Sequence, residues 1–366
     1  MYLRKIHELH VETSNSCNLN CSYCYFVSKK KEKLKFEIVQ FQKIVNCVLQ
    51  KTDSSINLVF HGGEPLLNSA QWIDEACRVA LQISLENDKK IYFHIQTNGT
   101  SLTDDHIKVL KKYNFTVNVS LDGPKEIHDK ARGRYDETLR SIRRLQAEDM
   151  LLGVITVIGK HNCNNISDVV AHFRELGIKR YHFNIGSILN DSKELVMSED
   201  EIYKSLVDAF EQMSLYYRES CNWVLLGKLR RFVNKEIPEF ACDSPICGAG
   251  LFKTHVLPNG DFYPCGSCVN TEHGRKEFLL GNLFEDIDSD VITKKLVDFH
   301  SIYFGETDKC SKCCASIICD FLCPAFDRYD KETISNKCSA YQRFVEYLNK
   351  QDFDQIKDIV SYYDGE

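Results

Sequence analysis

The sequence predicts an α/β fold of parallel strands joined by helices, followed by a smaller cysteine-rich region. Three observations predict it. Six short runs rich in β-branched and aromatic residues recur through the first two thirds of the chain, amphipathic helical patterns separate them, and ten of the seventeen cysteines fall after residue 240.

The strand runs lie at Leu9 to Thr13, Leu58 to Phe60, Ile91 to Thr97, Val117 to Leu121, Val154 to Ile158 and Tyr181 to Ile185. Between the first two, Phe41, Ile44, Val45, Val48 and Leu49 keep the i, i+3, i+4 spacing of one buried helix face, as do Trp72, Ala76, Val79, Ala80 and Ile83 in the next interval. Thr103 ahead of Asp104 and Asp105, and Ser198 with Glu201 three residues on, predict helix N-caps. Such alternation implies parallel pairing, in either an open doubly wound sheet or a curved barrel. Both architectures gather functional groups at the C-terminal ends of the strands. The unusual residues fall there: a cysteine triplet after the first strand, His61-Gly62-Gly63-Glu64-Pro65 after the second, Asn98-Gly99 after the third and Asp122-Gly123-Pro124 after the fourth.

Beyond Lys235 the β-α rhythm stops and Cys, Gly and Pro become dense. We therefore divide the chain into a core at 1–235, a cysteine-rich domain at 236–345 and a C-terminal helix at 346–366, the closing helical pattern starting from Ala340 with Phe344, Tyr347 and Leu348.

Composition excludes several classes. The 366 residues are 43% apolar with a formal net charge of -6, so neither disorder nor whole-surface binding to nucleic acid or anionic lipid is expected. The basic run Lys29 to Lys31 reads as a solvated loop. No apolar stretch approaches the ~20 residues a membrane span needs, and the N-terminus has no signal-type apolar stretch. A cytoplasmic location follows. Thiols stay reduced there, so the cysteines read as metal ligands rather than as a disulfide framework.

Cys17-Asn18-Leu19-Asn20-Cys21-Ser22-Tyr23-Cys24 places three thiolates within eight residues, close enough to ligate three irons of one cubane. The fourth iron, lacking a nearby cysteine, is open to a small molecule. Structural zinc is the competing reading, but it favours paired C-x2-C knuckles and four protein ligands.

The triplet resembles the radical S-adenosylmethionine (SAM) superfamily signature C-x3-C-x-aromatic-C, with Tyr23 at the aromatic position. The resemblance extends to Gly62-Gly63-Glu64-Pro65, which implies glycines admitting the cofactor closely and a Glu64 carboxylate accepting from its ammonium. It implies that Gln96, Asn98, Ser120 and Asp122 lie near the SAM ribose and carboxylate. It also implies that an arginine pairs with that carboxylate: Arg132, placed first, Arg134 or Arg140. Gly153 to Gly159 would line the adenine. The expected fold becomes a partial (β/α)6 TIM-type barrel.

Cys310-x2-Cys313-x5-Cys319-x3-Cys323, with Gly260-x4-Cys265 before it and Cys338 after, resembles the SPASM domain and its two auxiliary 4Fe-4S clusters. The resemblance implies Cys242, Cys247, Cys265 and Cys323 on the first, and Cys310, Cys313, Cys319 and Cys338 on the second. Three 4Fe-4S clusters and SAM are thus expected. Of the remaining cysteines, Cys47 and Cys77 sit in helical patterns and read as core hydrophobes. Cys268 and Cys314 lie beside ligands and stay open as alternative ligands or substrate-binding thiolates.

The superfamily chemistry implied is reductive cleavage of SAM to a 5'-deoxyadenosyl radical that abstracts a substrate hydrogen. The whole chain is similar to anaerobic sulfatase maturases and ribosomal-peptide maturases, which act on peptides or proteins. Three positions depart from the sulfatase pattern: Phe26, His61 and Gly266, the last standing where those enzymes keep an acidic base directly after the Gly-x4-Cys cysteine. The leading expectation is therefore a thioether or carbon-carbon crosslink in a ribosomally made peptide. The alternatives are formylglycine formation, an iron-sulfur electron carrier and a zinc scaffold. Expected partners are a peptide or protein substrate and a low-potential donor of the flavodoxin or ferredoxin type. Because the triplet begins too near residue 1 to leave room for a recognition domain before it, leader binding is expected to need either a groove on this chain or a separate peptide-recognition protein.

Overall fold

Along the first strand Leu9, Val11 and Thr13 are buried against the helices, while Glu8, His10 and Glu12 alternate with them toward the other side of the sheet. A computed structural model describes this chain at residues 2–24, 36–185, 196–235, 247–269, 272–286, 288–301, 310, 312–319, 323–325 and 331–365. Cys242, Phe26 and the Lys29 to Lys31 run lie outside the described residues.

The core alternates as expected: β1 (Glu8–Ser14), α1 (Ile38–Lys51), β2 (Ile56–Gly62), α2 (Ala70–Glu86), β3 (Ile91–Thr97), α3 (Asp104–Lys112) and β4 (Thr116–Ser120). There follow α4 (Lys125–Ala131), α5 (Tyr135–Ala147), β5 (Leu151–Ile158), α6 (Ile166–Glu175), β6 (Arg180–Ile185), α7 (Glu199–Tyr216), β7 (Cys221–Asn222) and α8 (Trp223–Asn234). Strands β1 to β7 pair in parallel in their sequence order. A doubly wound sheet would reverse strand order at a switch point, so this unbroken order selects the partial barrel.

The helix faces read from the sequence are the buried ones: Phe41, Ile44, Val45, Val48 and Leu49 on α1, and Ala76, Val79, Ala80 and Ile83 on α2. Trp72 stays partly buried because its indole nitrogen reaches the Phe36 carbonyl at 2.8 Å. Thr103 and Ser198 cap α3 and α7 through capping boxes.

The cysteine-rich region continues the same sheet. A hairpin of β8 (Lys253–Val256) and β9 (Asp261–Tyr263) lays β8 parallel against the free side of β1, with His10 opposite His255, and β10 (Gly281–Asn282) pairs with β9. Gly260 turns the hairpin at φ 88°, where a Cβ would stand 2.6 Å from Asn282 Oδ1. Helices α9 (Glu272–Glu277) and α10 (Ser289–His300) follow. The closing helix is longer than its apolar pattern indicated: α11 spans Lys331–Leu348, and α12 (Phe353–Asp364) comes after it. Arg343 ties α11 to Glu199 and Asp200 on α7 at 2.8 and 2.6 Å. Among the described residues, no helix is long and apolar enough to cross a membrane.

Candidate active site

The triplet loop leaves β1 at a register shift between Glu12 and Ser14, an irregularity that ends strand pairing where the first cysteine must turn out of the sheet. Two neighbours anchor the loop. Ser22 N donates to the Ala131 carbonyl at 2.9 Å, and Asn18 Nδ2 donates to Thr100 Oγ1 and Ser101 Oγ at 2.8 and 2.9 Å. Asn98 Nδ2 donates to Asn18 Oδ1 at 3.0 Å and to Cys17 Sγ at 3.7 Å. The end of β3 thereby touches the first cysteine.

Burial pushes the Cys17 thiol up to about 11, with Glu64, Cys21 and Cys24 adding to the rise against a lowering hydrogen bond from Leu19. Crowded thiols of this kind ionise readily only beside a cation, which is what iron ligation provides. Among the described residues no three His, Cys, Asp or Glu side chains stand close enough to hold a single ion. A four-iron cubane spaces its thiolates more widely than one ion does.

Gly62 and Gly63 lie tightly against the triplet loop. A Cβ on Gly62 would stand 2.3 Å from the Ser14 carbonyl oxygen, and one on Gly63 would stand 2.2 Å from that of Ser16. Gly63 N and Glu64 N donate to those same two carbonyls at 2.7 and 2.8 Å. The chain's own backbone thus approaches both glycines closely. Glu64 is fully buried and accepts from Leu66 N, Thr97 Oγ1 and Asn98 N at 2.9, 2.6 and 2.7 Å. A carboxylate offers about four acceptor positions, so the chain itself fills most of them. Burial raises its pKa against these hydrogen bonds. Pro65 opens the short helical turn that Glu64 caps.

Asp122 is likewise held by partners within the chain. Fully buried, it receives the Tyr23 hydroxyl and Val157 N, and it faces Arg132 Nε at 2.9 Å and His161 Nε2 at 3.4 Å. Burial alone would raise this carboxyl, but Arg132 and His161 outweigh it and hold it well below the usual range. The Arg132 guanidinium lies 5.3 Å from the Tyr23 ring centre, and His161 stacks on that ring at 5.2 Å. Of the three arginines, only Arg132 enters the site; Arg134 pairs with Glu137 at the surface and Arg140 is exposed.

Gln96 and Ser120 lie at the strand ends, with Gln96 Nε2 donating to Ser120 Oγ at 3.1 Å. Gln96 Oε1 is buried without a hydrogen-bond partner. A buried acceptor calls for a donor, and the hydroxyls or ammonium of SAM are of the right kind, so the residues at this rim fit that cofactor.

In the C-terminal region Cys247, Cys265 and Cys323 pack around one small core containing Ala249, Tyr263, Cys268 and Phe299. Cys310, Cys313 and Cys319 flank the turn Cys314–Ile317, and Gln342 on α11 donates to Cys313 Sγ at 3.4 Å. Cys338 precedes Gln342 by one turn on the same exposed helix face, so two of the expected groups are brought together in part. Both fit soft thiolate-bound iron by donor type. Cys314 is exposed, while Cys77, Cys163 and Cys221 are core residues.

Sequence reasoning missed a polar cluster inside the barrel. His10, His61 and His255 have ring centres 5.5 to 6.4 Å apart, with Glu12 Oε2 3.6 Å from His255 Nε2 and Glu8 bound by His10 and Lys253. The signal was present in β1, whose polar residues recur at every second position. His161 was missed too, although its place just past β5 matches the other strand-end residues.

Residues 11–176 match the family model described as the Radical SAM superfamily. The chain carries a radical SAM domain over those residues. The cysteine-type anaerobic sulfatase-maturating enzyme of Clostridium novyi (strain NT) is 24% identical over 365 residues, covering 91% of this chain and 92% of that one. The antilisterial bacteriocin subtilosin biosynthesis protein AlbA of Bacillus subtilis (strain 168) is also 24% identical, over 89% of this chain and 68% of its own. The solved structure of native anSMEcpe with bound AdoMet and Cp18Cys peptide superposes with a TM-score of 0.81 at 20% identity, over 98% of this chain and 99% of that one. Its likeness establishes the shared fold. The radical SAM family brings a 4Fe-4S cluster and SAM.

Proposed function

We propose that this enzyme installs a side-chain crosslink, thioether or carbon-carbon, in a ribosomally made peptide. The reading takes Cys17, Cys21 and Cys24 as donors to the cluster at which SAM binds, with Gln96, Asn98 and Ser120 around the cofactor. When bound, cluster and SAM together supply a radical able to take a hydrogen atom from a carbon of the substrate. The chain's own work is positional. Tyr23, Asp122 and Arg132 lock the triplet loop, and Gly62 and Gly63 seat it on β2. Two auxiliary clusters in the C-terminal region, a low-potential flavodoxin- or ferredoxin-type donor and a separate peptide-recognition protein complete the proposal.

The observation that carries crosslinking over aldehyde formation is Gly266. It follows Cys265 directly, and the space a side chain would enter there lies 3.2 Å from His255 Nδ1, so no carboxylate stands at that place. Formylglycine formation is the second reading. It is favoured by the length match, since the chain spans 92% of the Clostridium novyi enzyme but 68% of AlbA.

Incubating the anaerobically reconstituted enzyme with SAM, a reductant and cysteine-containing peptides, then weighing the products, separates the two. A crosslink removes two hydrogens and links two fragments. Loss of hydrogen sulfide with gain of oxygen would establish the second reading instead.

A further inference from the structure

Two of the three positions that depart from the sulfatase-maturase pattern meet in space. His61 on β2 and Gly266 after Cys265 both face His255 on β8. The two imidazole ring centres stand 6.0 Å apart, and the point where a Gly266 side chain would begin is 3.2 Å from His255 Nδ1. The other ring nitrogen, Nε2, lies 3.6 Å from Glu12 Oε2. The acidic residue missing beside Cys265 is thus answered by an imidazole with a carboxylate behind it, reaching the same space from β8.

This pair is short of partners. His255 is 1% exposed and Glu12 3%, yet both ring nitrogens and Glu12 Oε2 are buried with no hydrogen-bond partner. Buried polar atoms are nearly always satisfied, so three orphans at one place call for a ligand with polar groups of its own. A neutral imidazole has one donor and one acceptor nitrogen. With Nε2–H directed at Glu12, the Nδ1 lone pair faces the space beside Gly266, which is the arrangement of a general base oriented by a carboxylate. Glu12 itself lies against Gly62, where an added Cβ would stand 3.0 Å from Glu12 Cγ, so the pair sits at the strand ends next to the triplet loop.

The neighbours bring no competing cation. Burial pushes His10 down to about 4 and holds His61 well below its ordinary value, so both rings are neutral near pH 7. Lys253 is paired with Glu8 at 2.9 Å.

We propose that His255, oriented by Glu12, is the base that takes the thiol proton of a substrate cysteine on the way to a thioether. The S–H bond breaks heterolytically: the proton goes to Nδ1, the electron pair stays on sulfur, and no electron leaves the substrate in this step. The proposal rests on the crosslink reading and narrows it to a thiol-bearing peptide. A crosslink brings two substrate side chains to one place. Glycine at 266 leaves room for the thiol with the base recessed behind it, whereas a carboxylate on that residue would fill the room.

The test uses the full-length, anaerobically reconstituted enzyme with SAM, a reductant and a cysteine-containing peptide that wild type converts with loss of two hydrogens. It reads crosslinked peptide per deoxyadenosine, together with iron per chain. His255→Gln is expected to keep the iron and the deoxyadenosine of wild type while the ratio falls by about 10²- to 10⁴-fold, the usual share of a general base. Returning the carboxylate, in the double variant His255→Gln with Gly266→Asp, is expected to recover product. Glu12→Gln lowers the ratio when His255 is present but not in that double variant, where no imidazole is left to orient; a residue that only supports the fold would act in both. An undiminished ratio in His255→Gln overturns the base assignment. So does loss of deoxyadenosine along with the product, or a double variant that makes no more product than His255→Gln alone. A wild-type product with the mass of the aldehyde overturns the crosslink reading itself, a result in which the His255 variants play no part.

Discussion

The Tyr23 hydroxyl donates to the Asp122 carboxylate, joining the aromatic residue of the cysteine triplet to the end of the fourth strand. Asp122 also faces Arg132, so one buried carboxylate holds the loop, the guanidinium and His161 in one arrangement. Asp122→Asn leaves Arg132 buried without its counter-charge. Breaking a buried pair from one side costs about 3–5 kcal/mol. We expect a loss of that order in chemical denaturation of the anaerobic protein, and weaker cluster retention. Tyr23→Phe removes only one donor, so a loss of about 1–3 kcal/mol is expected. Equal losses in the two variants would contradict the ranking.

The paired glycines make a sharper geometric prediction. Gly62→Ala and Gly63→Ala each drive a methyl into a backbone carbonyl of the triplet loop, so the loop must move and iron binding should drop. Gly133→Ala is the control, since its φ is 79° but nothing lies within 4 Å of the added Cβ. There the left-handed backbone alone costs about 1 kcal/mol, and iron content should match wild type. Normal iron content in Gly63→Ala would show that this contact does not seat the loop.

Acid should destabilise the barrel through its neutral histidines. His10 and His128 are pushed down to about 4, first by burial, and His61 lies well below its ordinary value by burial and the neighbouring His10. Unfolded histidine titrates near pH ~6.5. Between there and about 4 the unfolded chain binds protons that the folded chain refuses, so stability rises with pH across this window and falls on acidification. Each group contributes a slope of up to about 1.4 kcal/mol per pH unit. Urea midpoints at several pH values between 7 and 5 measure it. His128→Asn should flatten the dependence even if it lowers the overall midpoint, and an unaltered slope would remove His128 from the account.

The strands, their parallel pairing and the two apolar helix faces were legible because burial imposes period 2 or 3.6 on the residues themselves. Cys17, Gly62 and Asp122 were legible as positions for a similar reason, each being a residue type a plain strand end does not need. Their partners were not. That Glu64 would be filled by Leu66, Thr97 and Asn98, or that Arg132 would be held by Asp122, depends on where separate strands end relative to one another. The same holds for β8, whose four residues carry no strong pattern and whose place beside β1 arises from tertiary pairing.

Glu64 provides the last prediction, because its two oxygens bridge β2 to β3. Thr97 and Leu66 donate to one oxygen and Asn98 N to the other. Glu64→Gln keeps the shape but turns one acceptor into an NH2 group. Whichever way the amide flips, a buried donor then faces a donor. An unsatisfied buried group costs about 1–3 kcal/mol, and the loss should fall on the segment those donors hold. Asn98 is in that segment and reaches Cys17 and Asn18, so the strain passes directly to the triplet. Hydrogen exchange should therefore speed at Asn98 to Ser101 in the variant while α5 and β5 stay protected. Uniformly faster exchange would mean that Glu64 supports the whole fold, and unchanged exchange at Asn98 would mean that the bridge carries no local stability.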